Sequence, residues 1–201
     1  MGSRDVVEEL LAVLGTGTAE EHGQAAADQR ASEAVLMRAL GDVDPLVRRA
    51  AAGSSAASEK VLMAALGDVW WEVRRAAAGS SAASEKVLMA ALGDVSAVVR
   101  LTAVRSAQAS EAVLMRAVRD ESPWVRKAAI THRNVTGRVA EVGAMARSKT
   151  IRIAAAGHLL LPVEAAEQLL KSRAREIAEA LAKNEALPER IRVAARLKTG
   201  L

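Results

Sequence analysis

The sequence predicts an all-α fold, an α-solenoid of about seven short two-helix repeats on a 26-residue period. Three observations predict it. The 23-letter stretch VRRAAAGSSAASEKVLMAALGDV stands at Val47–Val69 and again, unchanged, at Val73–Val95. The chain has no Phe, no Tyr and only 3 Trp, and much of its 51% hydrophobic content is alanine. Alanine buries little surface, so a core must be thin and spread along the chain. Lastly, Ala, Leu, Arg, Lys and Glu dominate, all good helix formers, and no alternating Val/Ile/Thr runs argue for strands.

The period runs through most of the chain. Val35, Val61, Val87 and Val113 each open a VLM triplet, 26 residues apart, and Leu161-Pro162 and Leu187-Pro188 keep the same step. We expect a single solenoid domain over 1–201: an N-terminal cap and first degenerate repeat at 1–34, regular repeats at 35–152, and divergent repeats with a cap at 153–201. Terminal repeats must be atypical because one face meets water.

Within a repeat, the first helix begins after Ser58, whose hydroxyl can cap it. Val61, Leu62, Ala65 and Leu66 form its apolar stripe. Gly67 is expected to stop it, as a glycine that tolerates left-handed dihedrals. The second helix follows near Asp68 or Trp70 and runs through Val73–Ala78. In the preceding repeat its start is Asp44-Pro45, a cap followed by proline at the first helical position, and Ser122-Pro123 repeats that device. Helices this short are marginal alone, so each repeat must bury its apolar face against its neighbours.

Composition excludes several classes. Without cysteine there are no disulfides, thiolate metal sites or thiol nucleophiles. No run of 18 or more apolar residues offers a membrane span. The start, MGSRDVVEELL, has no basic region followed by an apolar one, so no signal peptide is expected and the expected location is cytoplasmic. Charge is uneven: residues 1–96 carry 9 Lys/Arg against 14 Asp/Glu, and residues 97–201 carry 19 against 10. A basic half of this kind can mark a polyanion-binding end.

The repeat lets the sequence act as its own alignment. Arg48, Arg74, Arg100, Arg126 and Arg152 form one column. They are expected to build a structural ladder with Asp42, Asp68, Asp94 and Asp120 of the preceding turn or neighbouring repeat, because guanidinium binds carboxylate bidentately. Ser54, Ser80, Ser106, His132, His158 and Asn184 form a second column. The histidines invite a metal or acid–base reading, but every residue there can hydrogen-bond a local turn, and no further ligands accompany them, so no metal is expected. Trp70, Trp71 and Trp124 sit where the repeat does not require tryptophan, and are candidate partner-binding anchors. Arg105, Arg116, Arg119, Lys127, Arg133 and Arg138 are candidate polyanion contacts, with Arg105 and Arg133 departing from the repeat pattern.

These residues also resemble a family. Val73-Arg74-Arg75-Ala76-Ala77-Ala78, Ser80, Ser84-Glu85 and Val87-Leu88 are similar to the leucine-rich repeat variant, a bacterial HEAT-like pattern of the form VRxAxAxN, TP and a leucine-bearing helix. Ala182-Lys183-Asn184-Glu185-Ala186-Leu187-Pro188 matches it best. The resemblance implies a right-handed α-solenoid. Ser and Ala stand for Asn and Pro in the central copies, and the cysteines of the family's iron–sulfur cluster are absent.

Function is read more coarsely, because folds host many functions. The expected function is a non-enzymatic scaffold for an unidentified protein partner, presented by a monomer without cofactor. The alternative is DNA or RNA binding through the basic half, by phosphate and shape. A third reading is a HEAT-like DNA glycosylase, echoed by Trp124 beside Asp120 and Glu121. No Gly-rich phosphate loop or Ser-His-Asp arrangement supports catalysis.

Overall fold

A computed structural model describes residues 3–200; Met1, Gly2 and Leu201, at the ends of the two predicted caps, lie outside the described residues. Fifteen helices occupy the described residues, with no strand among them. The chain divides into two compact units, Met1–Gln108 and Ala109–Leu201.

The first unit holds α1 (Ser3–Thr16), α2 (Ala19–Ala27), α3 (Glu33–Ala39), α4 (Pro45–Gly53), α5 (Glu59–Ala65), α6 (Trp71–Gly79), α7 (Glu85–Ala91) and α8 (Ala97–Arg105). The odd-numbered helices pack in succession as one layer and the even-numbered ones as a second. The second unit repeats the plan with α9 (Glu111–Ala117), α10 (Pro123–Ile130), α11 (Gly137–Ala144), α12 (Lys149–Ala156), α13 (Val163–Leu170), α14 (Arg175–Lys183) and α15 (Glu189–Thr199). The unpaired α15 packs on α13 and α14. Each unit is a stretch of α-solenoid.

Short helices start where their caps stand. The hydroxyls of Ser32, Ser58, Ser84 and Ser110 each accept the N–H of the valine three residues on, at 3.4 Å. The Asp44 carboxylate accepts the Leu46 N–H at 2.8 Å. Ser122 keeps the proline but its side chain makes no cap bond. Cross-repeat ties are regular too: Glu33 accepts from Ser58 at 2.6 Å and from Lys60 at 2.9 Å.

The expected left-handed glycine stop is not used. Among the described residues only Gly200 has a positive φ, 72°. The first helix instead tightens at its end, with Gly67 N–H donating to Ala64 O at 2.9 Å and Asp68 N–H to Ala65 O at 3.1 Å, both i to i−3 bonds. Arg119, Met145 and Lys171 hold the same place in later repeats, so the turn needs no glycine freedom. What glycine relieves is crowding, since a Cβ at Gly67 would lie 3.2 Å from the Ala64 oxygen.

The core is as thin as the composition requires. Val35-Leu36, Val61-Leu62, Val87-Leu88 and Val113-Leu114 are all fully buried, surrounded by buried alanines from both layers. No helix among the described residues is long and apolar enough to cross a membrane.

Candidate functional site

The arginine column is a ladder with two distinct halves. Arg48 Nε and Nη2 donate to the Asp68 carboxylate at 2.6 and 3.2 Å, and Arg74 donates the same way to Asp94 at 2.6 and 3.0 Å. The carboxylate therefore comes from the following repeat. The preceding turn supplies only carbonyls: Arg48 Nη1 donates to Asp42 O and Val43 O at 3.0 and 3.1 Å. That carbonyl clasp recurs at every later rung, in Arg74, Arg100, Arg126 and Arg152. Arg100 is buried, at 5% exposure. The Asp120 carboxylate accepts the Ser122 N–H at 2.7 Å.

One rung escaped the sequence analysis. His22 lies 26 residues before Arg48, and its Nδ1 is 2.6 Å from Asp42 Oδ2, the same 20-residue reach that joins Arg48 to Asp68. The period would have found it, but the change from arginine to histidine hid it. Burial works against the Asp42 carboxylate, yet the Asp44 N–H and His22 hold it below its ordinary value.

The second column serves turns. Ser54, Ser80 and Ser106 accept the N–H two residues on through their hydroxyls, at 3.3, 3.1 and 3.3 Å. His132 and His158 do so through Nδ1, at 3.1 and 3.2 Å, and Asn184 through Oδ1 at 3.2 Å. Asn184 also donates from Nδ2 to Ala156 O and His158 O at 2.9 and 2.8 Å, tying its turn to the preceding repeat. A backbone N–H can only donate, so Nδ1 of each histidine must be unprotonated in this bond.

A pH prediction follows from that geometry. Burial pushes the His158 imidazole below its ordinary value of 6.5. The unfolded chain then binds more protons than the folded one as pH falls below about 6.5, so stability is full above that value and declines beneath it. His158→Asn keeps an acceptor for the Leu160 N–H and cannot titrate. Its melting temperature should fall less than that of the wild type between about pH 7 and about pH 5.5. Parallel pH curves would mean that His158 does not contribute.

All three tryptophans are exposed, Trp70 at 50%, Trp71 at 39% and Trp124 at 71%. Arg75 lies over the Trp71 ring, 5.5 Å from its centroid. The company that Trp70 and Trp71 keep is not legible in the sequence. Val43, Val69 and Val95, one period apart in the first unit, are 96%, 85% and 90% exposed, and Leu46 and Val98 are also exposed. All lie where the first helix of a repeat passes into the second. Stacking of like helices sets this apolar edge in register.

The basic candidates are not gathered. Arg105 ends α8 in the first unit, exposed. In the second unit Arg116 lies in the last turn of α9, Arg119 just beyond it, Lys127 on α10, Arg133 in the following turn and Arg138 in the first turn of α11. The start and end of a seven-residue helix are about 10 Å apart along its axis, so Arg116 and Arg138 serve opposite edges of the repeat. Arg138 is also paired with Glu111 at 3.3 Å, and Arg119 donates to Met115 O at 2.8 Å.

The fold and these columns define an α-solenoid whose ladder and turns are structural. Among solved structures, the chain is similar to a leucine-rich repeat variant described as having a novel repetitive protein structural motif, with a TM-score of 0.61 and 20% identity. The likeness covers 97% of this chain and 82% of that one, and it shows a shared fold. No family model and no curated protein matches the chain.

Proposed function

We propose that the chain is a non-catalytic scaffold that holds a protein partner against the apolar edge of its first unit. One observation carries the reading: Val43, Val69 and Val95 are exposed at 96%, 85% and 90%, beside Trp70 and Trp71. The fold does not need apolar residues there, since the same column continues as Glu121 and Arg147. Apolar side chains kept in water without a packing reason mark an interaction surface, and tryptophan is the residue most enriched at binding hot spots. Arg48, Arg74 and the turn histidines His132 and His158 are engaged in bonds that join repeats or close turns, which favours binding over catalysis.

The test compares wild type with a Trp70→Ser, Val95→Ser variant of unchanged far-UV circular dichroism. Immobilised wild type should retain a protein that the variant does not, and titration calorimetry should give a stoichiometric complex. Equal retention by both would remove the apolar edge as the site. Nucleic-acid binding is the second reading, favoured by exposed Lys127 and Arg133, which make no ion pair among the described residues. Fluorescence anisotropy with labelled duplex DNA, single-stranded DNA and RNA at two salt concentrations separates the two. Steep salt dependence, lost in an Arg105, Lys127 and Arg133 alanine variant, would move the function to the basic residues.

A further inference from the structure

In the first unit the guanidiniums of Arg48 and Arg74 are fully used. Nη1 sits on two carbonyls, while Nε and Nη2 sit on the carboxylate of Asp68 or Asp94. Arg126 keeps only the first half of this pattern, with Nη1 donating to Asp120 O and Glu121 O at 2.7 and 2.8 Å. The residue 20 positions ahead, where Asp68 and Asp94 stand for their own arginines, is Ala146. Nε and Nη2 of Arg126 consequently have no acceptor among the described residues. A planar guanidinium pinned at one nitrogen holds its opposite edge in a set direction, so the fork stays pre-organised.

Space and charge agree with that vacancy. An open cleft of about 600 Å³ is lined by Arg126 and Ala146 together with Arg119, Asp120, Arg147 and Ser148. Arg152 bonds the backbone at the same position, its Nη1 donating to Ala146 O and Arg147 O at 2.7 and 2.8 Å. Asp68 is flanked in the same manner, receiving the Arg48 fork on its carboxylate and the Arg74 Nη1 on its carbonyl. In the second unit Arg126 and Arg152 thus serve a position that carries no negative charge.

We propose that this cleft binds a carboxylate, which takes the place of the missing aspartate side chain and accepts bidentate hydrogen bonds from Nε and Nη2 of Arg126. The sister rungs identify the chemistry, for each seats a planar pair of oxygens on the same two nitrogens. The group can come from a free small acid or from a Glu or Asp side chain of another protein. The site lies in the second unit and stands or falls independently of the apolar edge.

The test reads the Arg126 Nε–H by nitrogen-15 NMR, assigned by its loss in Arg126→Lys. Sodium acetate should move the signal saturably, while sodium chloride at matched ionic strength leaves it in place. Ala146→Asp supplies the carboxylate from within. It should show the moved signal without acetate, weaken the acetate response at least about tenfold and raise the melting temperature. A blocked Gly-Glu-Gly peptide that saturates the wild-type signal at least about tenfold below acetate assigns the carboxylate to a protein side chain, and equal concentrations assign it to a free acid. The proposal is overturned if acetate acts no differently from chloride, if Ala146→Asp responds as wild type does, or if inorganic phosphate moves the signal and acetate does not. Should Ala146→Asp fail to fold, Arg126→Gln must abolish the acetate response of the Arg147 and Ser148 amides, and a response that persists overturns the proposal equally.

Discussion

Asp94→Ala is expected to lower the stability of the first unit by about 3 kcal/mol, the cost of stranding one member of a buried ion pair. The Asp94 carboxylate takes Nε and Nη2 of Arg74 at 2.6 and 3.0 Å and the Ser96 N–H at 2.7 Å. The two side chains are only 13% and 6% exposed, so solvent cannot replace the lost partner. Burial pushes the Asp94 carboxyl up, and the Arg74 bonds and the Ser96 N–H more than reverse it, leaving it below its ordinary 3.8. Its folded-state affinity for protons is therefore the lower one. The contribution of Asp94 is present above about pH 4 and lost as pH falls further, so the gap between wild type and variant should close in acid. Urea denaturation at several pH values measures both effects. Arg126→Ala is the contrast: it strands no carboxylate and should cost about 1 kcal/mol. Equal losses at the two rungs would contradict the broken ladder.

Leu88→Ala is the second large effect, expected to cost about 3 kcal/mol. Leu88 is fully buried in α7, and the chain has no Phe or Tyr to share its role. Its buried neighbours in the same repeat, Ala83 and Ala91, have no side-chain length with which to fill the space. The two layers are also held by stacked backbones, so the cavity cannot collapse without moving whole helices. Leu197→Ala is the control, since Leu197 is 79% exposed on α15 and should change stability by less than about 0.5 kcal/mol. Chemical denaturation followed by far-UV circular dichroism compares the two, and similar midpoints would mean that leucine burial is not what holds the layers.

Much of the architecture was legible because a repeat reports its own constraints. The VLM triplets placed the first helices, Ser58 and its equivalents placed their starts, and the turn column predicted local bonds for serine, histidine and asparagine alike. Each of these is a short-range matter, settled by residues within a few positions. The glycine at 67 misled because glycine allows a left-handed turn without requiring one, and only the dihedrals distinguish freedom from relief of crowding. Ser122 misled because the proline after it marks a helix start whether or not the cap bond forms.

The site was less legible than the fold. Arg48 and Asp68 are 20 residues apart, and nothing in the letters says whether an arginine reaches backward or forward in a stack. His22 and Ala146 became meaningful only when the forward reach was known, one as the first rung and the other as a missing partner. Exposure was likewise beyond the sequence, since Val43 and Val47 are both valines near the start of one helix, yet the first faces water and the second the core.

By itself the sequence determined the helical class, the 26-residue unit, the thinness of the core and the local bonding of the turns. Tertiary structure alone decided the direction of the ladder, the vacancy beside Arg126, the apolar edge and the scattering of the basic residues. The physical reason is range. Helix propensity, capping and turn bonds act along the chain, where the letters are adjacent. Ion pairs, exposure and clefts arise between layers, where the stacking of one repeat on the next sets which side chains meet.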